Sequence, residues 1–219
     1  MNLLEALKLA DICSLINALL GFLALLISWG GRSDLAVVLV LAAASVDGLD
    51  GFASRRLGRG RLGGDLDSLA DLVSFGIAPL AIAYSAYEGL WTVGAAGCPY
   101  IVAAILRLAR FNVSPTSAAL FEGLPITGAG VMVAISILFR WPLLTMLLLI
   151  LLSLLMVSAV PYPKVRSPGA IILVVSVLIL AAAIGCILGD VYRSGQVLFI
   201  AISAYLAYPV VRQFQQNER

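Results

Sequence analysis

Apolar residues run along this chain in blocks of about twenty, parted by short polar breaks. Within a block the apolar positions are continuous rather than alternating, which argues for helices and against strands with one wet face. At about 1.5 Å per residue, such a block matches a hydrocarbon layer of about 30 Å. The pattern predicts eight helices, over 12–30, 35–56, 66–87, 92–111, 124–140, 142–160, 168–188 and 194–213. The breaks carry turn chemistry. "GGRSD" from Gly30 parts the first pair, "GLW" from Gly89 makes a tight turn, and "RWP" from Arg140 puts a proline at a helix start. "PYPKVRSPG" from Pro161 reads as a longer loop. The expected fold class is all-α: a polytopic membrane helix bundle of about eight transmembrane helices, forming one domain over 1–219.

Composition sharpens this. Of 219 residues, 62% are hydrophobic and only 12% charged, with a mean hydropathy of +1.06. A soluble domain carries about 25% charged residues. The chain therefore reads as an integral membrane protein. The segment from Met1 to Ala10 is mildly amphipathic, with Glu5 and Lys8, and shows no small-residue cleavage site, so no signal peptide is expected. There is no histidine, and Cys13, Cys98 and Cys186 stand apart from one another. A zinc site is excluded on those grounds. Any metal here is held by oxygen, which points to Mg²⁺, Mn²⁺ or Ca²⁺.

Positive charge sets the expected orientation. With the N-terminus inside, eleven of the 14 basic residues fall on the cytoplasmic side: Lys8, Arg55, Arg56, Arg59, Arg61, Arg107, Arg110, Lys164, Arg166, Arg212 and Arg219. Only Arg32, Arg140 and Arg193 fall on the far side. Both termini are then cytoplasmic, which requires an even number of spans.

Against that apolar background, four acids stand out. Asp47 and Asp50 are three apart at the end of the second helix, and Asp67 and Asp71 are four apart at the start of the third. Each pair shares a helix face. The two helices are antiparallel and joined by about ten residues, so all four carboxylates converge just inside the cytoplasmic boundary. Unpaired, they would repel strongly in a partly dry setting. One or two divalent cations resolve this, because every ligand is a hard oxygen. Asp65 is turned away from the cluster by its spacing and reads as a helix N-cap or an exposed charge. Gly48 and Gly51 leave the helix face beside the acids bare, so a bulky group can approach the backbone; helix packing would use the same glycines. Arg55, one turn further on, can hold a phosphate oxygen pair. Metal, bare backbone and arginine together describe a diphosphate site.

The run Asp47-x-x-Asp50-Gly51-x-x-Ser54-Arg55, followed by Gly63-x-x-x-Asp67-x-x-x-Asp71, resembles the signature of the CDP-alcohol phosphatidyltransferases, D-x-x-D-G-x-x-A-R then G-x-x-x-D-x-x-x-D. Two departures occur: Ser54 stands where that family has Ala, and seven rather than eight residues part Arg55 from Gly63. The resemblance implies that Asp47, Asp50, Asp67 and Asp71 ligate two divalent ions, Mg²⁺ or Mn²⁺, and that Asp71 also serves as general base. It implies that Gly48, Gly51, Ser54 and Arg55 line the CDP moiety. Asn17 and Gly21 of the first helix resemble the polar and small face that family members turn to the nucleotide; a hydrogen bond between helices would use Asn17 equally well.

The signature fixes the reaction type and leaves the acceptor open. "LDSLADLVSFGIAP" from Leu66, "LRLARFNV" from Leu106 and "GLPITGAG" from Gly123 resemble the phosphatidylserine synthase branch, and archaetidylserine synthases look similar. The resemblance covers about residues 11–130 and, with "VPYPK" near Lys164, implies a catalytic core over about 11–165. The implied partners are a CDP-lipid donor, L-serine, membrane lipid and a second copy of the chain, with no nucleic acid. A serine carboxylate needs a cation: Arg107 and Arg110 lie at the depth of the acids and Lys164 on another cytoplasmic loop, and each could hold it or a lipid phosphate, or serve as an inside-positive anchor on anionic lipid. A sister activity on glycerol 3-phosphate or inositol phosphate is the nearest alternative. A cation transporter is the alternative from a different class, although transport sites tend to lie nearer the midplane.

Overall fold

The first helix is amphipathic in reverse. Ile12, Leu15, Leu19, Phe22, Leu23 and Leu26 lie exposed, while Asp11, Ser14, Asn17, Gly21 and Ser28 are buried. An apolar outside over a polar and small inside is the pattern of a helix whose solvent is lipid. The computed structural model describes residues 8–57, 60, 62–113 and 120–163 and single helical positions at 196, 199, 200 and 203; for 9, 50–57, 120, 121 and 163 it describes the backbone alone.

Among the described residues the elements are α1 (Leu9–Trp29), α2 (Ser33–Leu57), α3 (Gly63–Asp71), a π-helical turn (Leu72–Ile77), α4 (Ala78–Ala86), α5 (Trp91–Val113), β1 (Leu120–Glu122), α6 (Ile126–Ile137), α7 (Pro142–Val157) and β2 (Pro161–Pro163). The run from α3 through the π turn to α4 is one continuous span. Among the described residues, three helical runs are long and apolar enough to cross a membrane: Ala10–Trp29, Gly63–Ala86 and Trp91–Val113. The predicted helices over 168–188 and 194–213 lie almost wholly outside the described residues.

Local chemistry explains the ends. Gly31 and Gly89 take positive φ where α1 and α4 turn back. Arg140, with φ 52°, turns the chain between α6 and α7, and Pro142 starts α7 at a position with no intrahelical donor to lose. The break at Arg140 thus separates two helices as the sequence predicts. One feature has no counterpart in the prediction. Leu120–Glu122 and Pro161–Pro163 pair antiparallel, with Phe121 opposite Tyr162, because the proline-rich stretch after α7 is already extended.

Helix α6 occupies the middle. Every residue from Ala129 to Ile137 is buried, and α6 touches α2, α4, α7 and the π turn. A helix apolar all round belongs inside a bundle. Its 12 residues run about 18 Å, less than a full span, and it begins at the level of the acids. Helix α1 lies along α2 and also meets α3, the π turn and α4. Helix α5 packs chiefly on α7.

Candidate active site

The carboxylates of Asp47 on α2 and of Asp67 and Asp71 on α3 each place an oxygen within 4.8 Å of the others. The i+4 spacing on α3 puts Asp67 and Asp71 on one face, and α2 brings Asp47 beside them. Asp47 and Asp67 are half-buried, and Asp71 is buried at 9% exposure. Oxygens sharing one hard cation at about 2.0–2.6 Å lie at most about 4–5 Å apart, so the donor set fits a divalent ion by chemistry and by spacing. The side chains of Asp50, Ser54 and Arg55 lie outside the described residues, as does the whole of Lys164, and Gly51 is described as helical backbone alone. Gly48 is half-buried on α2, next to Asp47. Asp65 is exposed in the first turn of α3; the N-cap position is Leu62.

Neutral side chains bind Asp71 and Asp47. Asn17 Nδ2 on α1 donates to Asp71 Oδ1 at 3.1 Å. Thr127 Oγ1 at the start of α6 donates to Asp47 Oδ2 at 3.0 Å. Asn17 is 1% exposed, and its own Oδ1 is buried with no hydrogen-bond partner among the described residues. Gly21 meets the π turn: a Cβ there would lie 2.7 Å from Ser74 Cα. That close approach lets Ser74 Oγ donate to Asn17 O at 2.8 Å and sets the height of Asn17 beside Asp71. The π turn follows Asp71 immediately. Such turns gather at functional sites because they re-aim the residues around them.

The two arginines of α5 brace the loop that leads into α6. Arg107, 6% exposed, donates through Nε to Leu124 O at 3.1 Å and lies 5.7 Å from the centroid of the Phe111 ring. It also interacts electrostatically with Asp71 and Arg110. Arg110 spreads its guanidinium over backbone carbonyls: Nη2 donates to Glu122 O at 2.6 Å and Met156 O at 2.9 Å, with Ser158 O and Val157 O further out. Gly123, at φ 78°, bends beneath it. Arg107 therefore borders the acids, whereas the described contacts of Arg110 fasten β1 to the end of α7.

Sequence reasoning passed over Asp11, Ser14 and Thr127. Asp11 and Ser14 continue the buried face of α1 toward its N-terminus, and Asp11 Oδ2 accepts the Lys8 N–H at 2.8 Å. Their spacing with Asn17 was visible as polar positions three apart in an apolar helix. Thr127 was signalled more weakly, as a hydroxyl at the head of the small-residue run "ITGAG".

Comparison with known proteins agrees with this geometry. Residues 7–158 match the CDP-alcohol phosphatidyltransferase family. The archaetidylserine synthase of Methanothermobacter thermautotrophicus is 39% identical over 168 residues, which is 74% of this chain and 72% of that protein. A CDP-diacylglycerol–serine O-phosphatidyltransferase of Methanocaldococcus jannaschii is 33% identical over 162 residues, 73% of this chain and 76% of that one. The enzyme with the same name from Bacillus subtilis is 35% identical over 140 residues, 62% of this chain and 78% of its own length. With its acids gathered at one point and more than half its length matched, the chain belongs to the CDP-alcohol phosphatidyltransferase family.

Proposed function

We infer that this membrane protein transfers the lipid phosphoryl group of a CDP-activated lipid to the hydroxyl of serine, releasing CMP. The observation that carries the reading is the convergence of Asp47, Asp67 and Asp71 within 4.8 Å, in a chain whose relatives are named for transfer to serine. Asp47, Asp50, Asp67 and Asp71 would hold two divalent ions, Mg²⁺ or Mn²⁺. When bound, such ions neutralise the diphosphate and stabilise the departing nucleotide phosphate.

The chain's own residues do the rest. Gly48, Gly51, Ser54 and Arg55 line the CDP moiety, and Asn17, whose amide N–H serves Asp71, keeps its buried Oδ1 for the nucleotide. Asp71 receives the proton of the serine hydroxyl. The serine oxygen forms a bond to the lipid-side phosphorus as the bond from that phosphorus to the CMP oxygen breaks. Serine's hydroxyl is a weak nucleophile at neutral pH, and a placed base contributes about 10²- to 10⁴-fold. Arg107, which interacts electrostatically with Asp71, is the first candidate for the serine carboxylate, with Arg110 and Lys164 as further contacts for it or for a lipid phosphate.

The wider frame is part of the same reading. One domain spans 1–219, with its catalytic core over about 11–165 and about eight membrane helices. The acids and both termini face the cytoplasm, and two copies form a dimer. The deciding experiment supplies serine, glycerol 3-phosphate and inositol phosphate separately, with CDP-diacylglycerol or CDP-archaeol, and follows CMP. Release with serine alone is expected, and the donor that turns over identifies the lipid backbone. Release with a phosphorylated acceptor and none with serine would overturn the assignment.

A further inference from the structure

We propose that Thr127 is a positioning residue for the metal site, fixing the carboxylate of Asp47 from a helix outside the signature. This rests on the reading of the acids as a divalent-metal site. Asp47 lies in the second half of α2 (Ser33–Leu57), and the backbone by itself allows a carboxylate there several settings of χ1 and χ2. The Thr127 hydroxyl removes that freedom by donating to Oδ2 at 3.0 Å. Thr127 can do this because α6 begins beside the acids: Pro125 takes the N-cap position with extended φ and ψ, and Thr127 lies two residues into the helix. The height of that helix start is set in turn by Arg107, which holds Leu124 O, and by Gly130, which lets α6 press on the π turn. The positive end of α6 also faces the Asp47 anion, adding to the same preference.

The arrangement on the other side is a mirror of this. Asp71 receives Asn17 from α1, as Asp47 receives Thr127 from α6. Asp47 and Asp71 are thus each tied by a neutral donor on a different helix. Ligating carboxylates need such partners, because a ligand that must first be ordered binds metal more weakly.

The test reads metal binding directly, with neither lipid nor serine present. Purified full-length protein in detergent is stripped of metal and titrated with Mn²⁺, and free Mn²⁺ is followed by its electron paramagnetic resonance signal. Thr127→Val keeps the shape and removes the donor, and it is expected to raise the Mn²⁺ dissociation constant about tenfold or more. Thr127→Ser keeps the hydroxyl and is expected to stay within about twofold of the unmodified protein. Thermal melting of the metal-free variants checks that the bundle is intact. A Thr127→Val protein that binds Mn²⁺ like the parent, or a Thr127→Ser protein that loses as much affinity as Thr127→Val, overturns the proposal. An Asp47→Asn control separates the two failures. If it loses Mn²⁺ while Thr127→Val does not, the metal site stands and only the role of Thr127 falls. If Asp47→Asn binds Mn²⁺ unchanged, the metal-site reading falls with it.

Discussion

At the scale of single residues, the site divides between groups whose position follows from spacing and groups whose position follows from the fold. Asp67 and Asp71 are four apart on one helix, and the short connection to α2 brings Asp47 to them. All of that is legible in the chain, because helical periodicity fixes it. The partner of Arg110 is not legible. Its guanidinium meets carbonyls of Glu122 and Met156, and only the crossing of β1 past the end of α7 brings those groups together. Thr127 was equally hidden, since its partner lies 80 residues away. The assignment of Asp71 as base makes a separate prediction. Asp71→Asn keeps an acceptor oxygen for Asn17 but removes the proton acceptor. Turnover should fall by about 10²- to 10⁴-fold while CDP-lipid binding, measured by calorimetry, persists. Near-normal turnover in the purified variant would remove Asp71 from that role.

At the scale of elements, helix existence was written in the apolar pattern and helix ends less so. The first helix was expected over 12–30 and runs Leu9–Trp29; the third was expected over 66–87 and runs from Gly63 to Ala86. The π turn inside that third run has no sequence signature of its own. It exists because three neighbours grip it at once. Ser74 bonds to α1, Tyr100 Oη donates to Phe75 O at 2.7 Å from α5, and Gly130 of α6 leaves room for Phe75. A Cβ at Gly130 would lie 2.6 Å from Phe75 Cα and from its carbonyl oxygen, both backbone atoms that cannot swing aside. Gly130→Ala is therefore expected to destabilise the bundle by about 1–3 kcal/mol. Gly128, two residues earlier on the same helix, has nothing within 4 Å of the same point. Gly128→Ala should be neutral or stabilising by about 0.5–1 kcal/mol, since alanine restricts the unfolded chain more than glycine does. Melting of the two variants side by side in detergent checks the contrast. Equal shifts would mean that the α6 contact with the π turn does not set stability.

At the scale of the whole molecule, hydrogen bonds sort the helix ends into two levels. Ser85 Oγ donates to Ser28 O at 2.8 Å, joining the ends of α1 and α4, and Tyr87 Oη meets Thr145 Oγ1 at 2.8 Å, joining the end of α4 to the start of α7. Arg32 and Arg140 therefore lie toward one face. Asn17 with Asp71, and Thr127 with Asp47, lie toward the other, on the side of Lys8. Among the described basic residues, Lys8, Arg107 and Arg110 fall on the side of the acids, and Arg32 and Arg140 on the other. Lys and Arg in short loops are retained on the cytoplasmic side, so the acids should open there, where nucleotide-activated lipid and serine are at hand. Site-directed labelling tests it. In a version with Cys13, Cys98 and Cys186 replaced by serine, single cysteines are placed as Lys8→Cys, Arg32→Cys and Arg140→Cys, all exposed positions. A membrane-impermeant maleimide applied to intact cells should mark Arg32→Cys and Arg140→Cys and spare Lys8→Cys until the membrane is permeabilised. The reverse labelling would put the acids on the outer face, away from cytoplasmic nucleotide, and would break the link between the charge pattern and the proposed chemistry.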